Sequence, residues 1–196
     1  MSGRRTWFAL IPLAAAALAW AGCNLFDVRD SEGGGTGTDF WIPPTRPEII
    51  VQNLLTSLEQ GSFGDYQRTF APDFEFVPDG VDVTQLGIER PGEPVYSGWN
   101  RDVETQVAEA IFGSAQSLDL RLTFDEEQLL DEGRLHKYTY VLTLETGQGV
   151  KVYQGQAWFE IVQQSNGDWL IAHWQDVITP VTVESWGRLK GRNRQL

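Results

Sequence analysis

A single cysteine in 196 residues excludes an internal disulfide framework, and with only two histidines it also excludes a Cys/His zinc cluster. Basic residues are scarce too: 15 Lys and Arg stand against 27 Asp and Glu, a formal charge of -12. A phosphate backbone needs a basic stripe on its partner, so this balance argues against nucleic-acid binding. There is no Gly-x-Ser-x-Gly elbow and no glycine-rich phosphate loop after a strand. Nothing in the chain implies a cofactor. What it does have is 41% apolar and 12% aromatic residues, enough for a packed core in one domain of roughly 100–200 residues.

Residues 1–22 read as a secretory signal. Arg4 and Arg5 make a positive start, Trp7 to Ala19 is apolar, and small residues follow. The apolar stretch is too short for an ordinary spanning helix. Ala21-Gly22-Cys23 resembles the bacterial lipobox, with Trp20 departing from the leucine usual there. In that motif the Cys thiol is diacylglycerylated, the chain is cut before it, and the new amine is acylated. The resemblance implies lipidation at Cys23, attachment to a membrane through that lipid, and a place in the bacterial cell envelope outside the cytoplasm. The alternative is a cysteine that merely follows a cleavage site. Removing residues 1–22 leaves the chain more acidic still. The acyl chains, not the protein surface, would then hold it on anionic lipid.

Residues 23–44 read as a flexible tether around the glycines at 33–37, with Phe40, Trp41 and Ile42 able to dock back. One domain follows over 45–182, then a basic, solvated tail over 183–196. Thr45 with Glu48 predicts a capping box for a helix to about Gln60, with Gly61 as its stop. Ser62 predicts the cap of a short second helix that aligns Phe63, Tyr66 and Phe70. Residues 78–98 read as a long loop, and Asn100 predicts the cap of a third helix ending before Gly113. The period then changes from 3.6 to 2. A strand through Leu118 and Phe124 precedes three long ones, about 135–146, 150–163 and 168–178, joined by hairpin turns. Helices first and an antiparallel meander after them predict an α+β domain with helices packed on one sheet face.

That order, with Pro72-Asp73-Phe74 and the ending Gly155-x-Ala157-x-Phe159 then Gly167-Asp168-Trp169-x-Ile171-x-x-Trp174-x-Asp176, resembles the NTF2-like (SnoaL-like, cystatin-like cone) superfamily. The resemblance covers about residues 47–178. It implies a strongly bent antiparallel sheet wrapped around helices, with a pocket for which Tyr66, Phe70, Phe159, Trp174 and Asp176 are candidates. The superfamily holds isomerases, dehydratases, binding proteins and noncatalytic modules, so the fold does not determine the function. Unbulged hairpins predict Tyr138 opposite Trp158, Trp158 opposite His173, and His136 opposite Glu160. Tyr138, Tyr140, Trp158 and His173 would then share one aromatic-polar face, a candidate surface for a homodimer. A bulge at Gly155 would shift this register by one.

Asp176 falls on the apolar face, across from Gly155. Burial there would raise its pKa and make it a general acid, with Tyr66 as phenolic partner. The competing reading is a structural carboxylate bonded to a backbone amide or a tryptophan indole. Asp125-Glu126-Glu127 with Asp131 and Glu132 lacks the ligand spacing of a calcium loop, and His136 and His173 fall on non-neighbouring strands, so no metal site is expected. Three functions stay open: a lipid-anchored, noncatalytic binder of a small apolar ligand or a protein partner; a cone-fold enzyme of isomerase or dehydratase type; and a structural module filled by its own side chains. An open pocket with a buried acid favours the enzyme, a purely apolar pocket the ligand binder, and a closed core the structural module.

Overall fold

A computed structural model describes residues 40–180 and 184–196, so Cys23, the signal segment and the tether up to residue 39 lie outside the described residues. The elements run α1 (Pro47–Glu59), α2 (Phe63–Arg68), β1 (Phe70–Val77), α3 (Gly80–Glu89), α4 (Arg101–Ser114), β2 (Ala115–Leu130), β3 (Gly133–Thr146), β4 (Gly149–Gln163), β5 (Trp169–Val177) and α5 (Trp186–Asn193). The strands form one sheet in the order β1-β5-β4-β3-β2. The last four are antiparallel as expected, whereas β1 lies parallel to β5, so the sheet is mixed. Helices on one face of a bent, unclosed sheet make the α+β cone architecture.

Local chemistry explains most helix ends. Pro47 starts α1 with its backbone angle already set, and Arg46 at the cap makes no side-chain bond, so the Thr45–Glu48 box does not form. Ile50, Val51, Leu54 and Leu58 bury the inner face. Ser62 precedes α2 but bonds the Asp65 carboxylate at 2.8 Å instead of a backbone amide. The Asn100 side-chain oxygen Oδ1 accepts from the Val103 amide at 3.1 Å and starts α4, which continues through Gly113. The expected 78–98 loop contains α3, started by Asp79, whose carboxylate accepts from Val81 at 2.8 Å. Only Asp82 and Leu86 of α3 are buried, so no apolar stripe announces it.

The β3–β4 register differs from the expected one by one residue, set at the hairpin turn. The β3–β4 hairpin closes with two residues, Gly147 and Gln148, and Gly149 enters the strand opposite Thr146 at a φ of 119°. Tyr138 therefore faces Ala157, and Lys137 takes the place opposite Trp158. A one-residue slip moves a whole strand's side chains to the other face. Tyr138 and Tyr140 consequently lie buried on the inner face, while Trp158 and His173 lie half-buried on the outer one. The four do not share a surface. Between β4 and β5 an irregularity at Glu160–Ile161 shifts the pairing again, so Trp158 faces Gln175, Glu160 faces His173, and Asp176 faces Ala157, not Gly155.

Two segments outside the expected domain belong to it. Ile42 exchanges two hydrogen bonds with the buried Asn53 side chain, at 3.1 and 2.7 Å, and the Pro44 carbonyl accepts from Trp169 at 2.7 Å. The Arg68 guanidinium lies 4.1 Å from the Trp41 ring centroid. The expected solvated tail is α5, with Trp186, Leu189 and Lys190 buried. No helix among the described residues is long and apolar enough to cross a membrane.

Candidate functional site

The inner sheet face and helices α1, α2 and α4 enclose a core in which the five expected pocket residues do meet. Tyr66 packs edge-on to Phe70 at 5.0 Å, Phe70 stacks on Trp174 at 6.4 Å, and Phe159 meets Trp174 at 5.1 Å. Asp176 lies on the same face, fully buried. They surround side chains of α5, not an empty space.

Ser185 starts α5 by accepting the Arg188 amide at 2.9 Å. Trp186 then stands edge-on to Trp174 at 4.5 Å, and its amide donates to the Tyr140 hydroxyl at 2.7 Å. One turn later Lys190 places its ammonium 2.8 Å from Glu104 Oε1, with both side chains 1% exposed. The Glu104 carboxylate is fixed from two other directions. The Tyr66 hydroxyl donates to Oε1 at 2.6 Å, and the Trp99 indole donates to Oε2 at 2.8 Å. Aromatic faces close the remaining sides: the Lys190 ammonium lies 3.2 Å from the Trp174 ring centroid, 4.1 Å from Phe76 and 5.4 Å from Trp186. Burial lowers the Lys190 pKa to about 8 against the pull of Glu104. Burial, reinforced by Glu104, raises that of Tyr66 well above its ordinary value, so Tyr66 serves as a donor.

Asp176 forms the second part of the cluster. Its Oδ2 accepts from the Gly187 amide at 2.7 Å, while Oδ1 is buried without a hydrogen-bond partner among the described residues. Burial pushes its pKa up to about 7, with the Gly187 amide and the Tyr140 hydroxyl pulling the other way. The space that Gly155 leaves is taken by Tyr140, because a Cβ there would stand 2.7 Å from the tyrosine oxygen. Asp82 of α3 lies on the other side of Gly187 and accepts from the Ser185 hydroxyl. Burial raises its pKa as well, with Ser185 opposing. Gly187 thus runs between two buried carboxylates at a distance that only a glycine permits.

The rim ties the helix down further. Glu89 of α3 pairs with Arg188 and, at 3.0 Å, with Arg192, which hold its carboxyl down to about 2. Arg192 also reaches Glu184 at 2.8 Å. Arg90 donates to the carbonyls of Gly191 and Arg194, at 3.0 and 2.8 Å, and the Tyr96 hydroxyl donates to that of Gly187 at 2.9 Å. The basic residues of the expected tail are therefore bound to this domain's own acids and carbonyls.

Chemically, the cluster can hold a proton and a cation, but it is sealed. The largest groove on the described surface, about 1020 Å³, is polar and lies elsewhere, lined by Asp73, Leu129, Arg134, Glu160 and Trp169, while a smaller one of about 320 Å³ reaches the outer edges of Phe76 and Trp99. Metal-ligating atoms converge at one place among the described residues, where Glu48, Glu127 and His136 come within 4.8 Å of one another. There His136 Nε2 already meets Glu127 at 2.9 Å and Nδ1 meets the Tyr138 hydroxyl at 3.1 Å. Both ring nitrogens are used.

Sequence reasoning expected Tyr66 as the partner of Asp176, but Tyr66 bonds Glu104 and Asp176 bonds the Gly187 amide; Glu104, Lys190, Asp82, Ser185 and Trp186 were missed. A signal for α5 was present: Ser185 as a cap, Trp186 and Leu189 three apart, and Gly187 and Gly191 one turn apart.

No protein-family model matches the chain, and no curated protein matches its sequence. Solved structures match in shape. A conserved protein from Planctomyces limnophilus superposes with a TM-score of 0.54 at 12% identity, over 68% of this chain and 94% of that one. A ketosteroid isomerase-like protein from Erwinia carotovora atroseptica gives 0.51 at 17% identity, over 68% and 94%. A nuclear transport factor 2 (NTF2-like) superfamily protein from Salmonella enterica gives 0.50 at 13% identity, over 68% and 89%. At such identities the likeness is one of fold.

Proposed function

We propose that this chain, whose domain has the NTF2-like cone fold, is an exported lipoprotein held at a bacterial envelope membrane through Cys23, and that its domain acts without catalysis by binding a protein partner. One observation carries the noncatalytic reading: the interior of the cone is filled by Trp186 and by the Lys190–Glu104 pair of its own chain. An interior so filled leaves a small apolar ligand no room, and it keeps Asp176 away from any substrate. A buried carboxyl with a raised pKa is a frequent mark of an active site, but structural networks perturb pKa values as well. Asp176 is spent on anchoring the first turn of α5.

The outer surface then carries the function. The outward side of the sheet presents Trp158, with Lys137 at 4.7 Å from its ring, and His173 beside Glu160. Val150 and Val152 are exposed on the same side of β4 as Trp158. Aromatic and aliphatic groups in a polar surround suit a protein contact. The anchor rests on the signal segment and the lipobox-like Ala21-Gly22-Cys23.

Native mass spectrometry on protein taken from its own membrane tests both halves. The expected species is an acylated chain beginning at Cys23 with no copurified small molecule. An unacylated chain would overturn the anchor, and a stoichiometric small molecule would overturn the filled, noncatalytic domain.

A further inference from the structure

We propose that the cone interior is a binding site for a linear primary alkylammonium, which Lys190 of α5 fills as a ligand tethered to its own receptor. The receptor and the occupant come from different parts of the chain. Trp174 of β5, Phe76 of β1 and Glu104 of α4 are supplied by the cone, and Tyr66 and Trp99 hold the carboxylate in place. The cation arrives on the last helix. Trp186 alone among the enclosing rings belongs to α5.

The chemistry is that of ammonium recognition. Aromatic faces attract a cation through their quadrupole, most strongly when water is excluded, and a fixed carboxylate supplies the counter-charge. Three rings within 5.4 Å of one ammonium, with a carboxylate oxygen at 2.8 Å, form a cage with an acidic floor. A helix meant only to fill the space would be better served by leucine or methionine, since an apolar group of similar volume avoids the desolvation of two charges. Close packing seats the helix that carries the ammonium. Gly187 and Gly191 let α5 approach so closely that a Cβ at either would collide, with Asp176 or with Tyr96. This inference concerns the interior and is independent of the outer partner surface proposed above.

Truncating Lys190 to alanine removes three methylenes and the ammonium, which is n-propylammonium. Calorimetric titration should show n-propylammonium binding the K190A variant at least about tenfold more tightly than n-propanol, because only the cation answers Glu104. The preference should vanish in the E104Q/K190A double variant. Wild-type protein should not bind the amine at the same concentration, because Lys190 is in place. Equal binding of amine and alcohol to K190A would overturn the site, and so would equal binding of the amine to wild type and K190A. Should K190A not fold alone, refolding gives the same reading by near-ultraviolet circular dichroism. Recovery in n-propylammonium and not in n-propanol supports the site, and recovery in neither overturns it.

Discussion

Glu104 and Lys190 form an ion pair of 2.8 Å with both side chains 1% exposed, and the pair joins the third long helix of the sequence to the last one. Removing one member leaves the other charged in a dry interior, at a cost of about 3–5 kcal/mol. The E104Q variant should lose about that much in urea denaturation. The E104Q/K190M double variant should recover much of the loss, because no charge then remains buried. Additive losses would show that the two groups do not act as a pair.

Asp176 gives the fold a pH dependence of known sign. In the folded chain burial holds its proton until about pH 7, whereas the unfolded carboxyl loses it near 3.8. Between those values the folded state binds more protons, so stability falls as pH rises. At about 1.4 kcal/mol per unit the fall is on the order of 4 kcal/mol from pH 4 to 7. Asp176→Asn retains an acceptor for the Gly187 amide and should remove this part of the slope. Denaturation of both proteins at pH 4.5 and 7.5 measures it, and an unchanged slope would place the proton elsewhere.

Two glycines separate close packing from helix propensity. A Cβ on Gly187 would stand 2.7 Å from an Asp176 oxygen and 3.0 Å from one of Asp82, both buried. Gly187→Ala should therefore cost about 1–3 kcal/mol. Gly113 lies within α4 with nothing near its missing Cβ, so Gly113→Ala should stabilise by about 0.5–1 kcal/mol. Thermal melts of the two variants should move in opposite directions.

The envelope anchor has its own check. Cys23→Ala should yield an uncleaved or soluble chain in cell fractionation, while the wild type partitions into membranes. A variant that partitions and migrates like the wild type would refute lipidation.

The cone was legible in the sequence because its signals are local. Helical spacing in α1 and α4, the Asn100 cap, and alternation in the last strands each specify their own element. The face of each β3 residue was not legible, since it turns on whether Gly149 belongs to the turn or to the strand. That single residue moved Tyr138 and Tyr140 from the expected surface into the core. Asp176 was found because apolar neighbours flank it at every second position. Lys190 was missed because a lysine among Arg188, Arg192 and Arg194 reads as a solvated charge, and its partner Glu104 shares its helix with Asp102 and Glu109. Only the fold brings them together.

The central claim is that Lys190 is sealed inside the cone, and its titration tests this most directly. The chain has just Lys137, Lys151 and Lys190, so lysine side-chain nuclear magnetic resonance on wild type and K190A assigns the signals without ambiguity. The account predicts a Lys190 pKa of about 8, against an ordinary lysine value of 10.5. A Lys190 that titrates with the ordinary value in both wild type and the E104Q variant would mean that neither burial nor Glu104 acts on its ammonium, and would contradict the account.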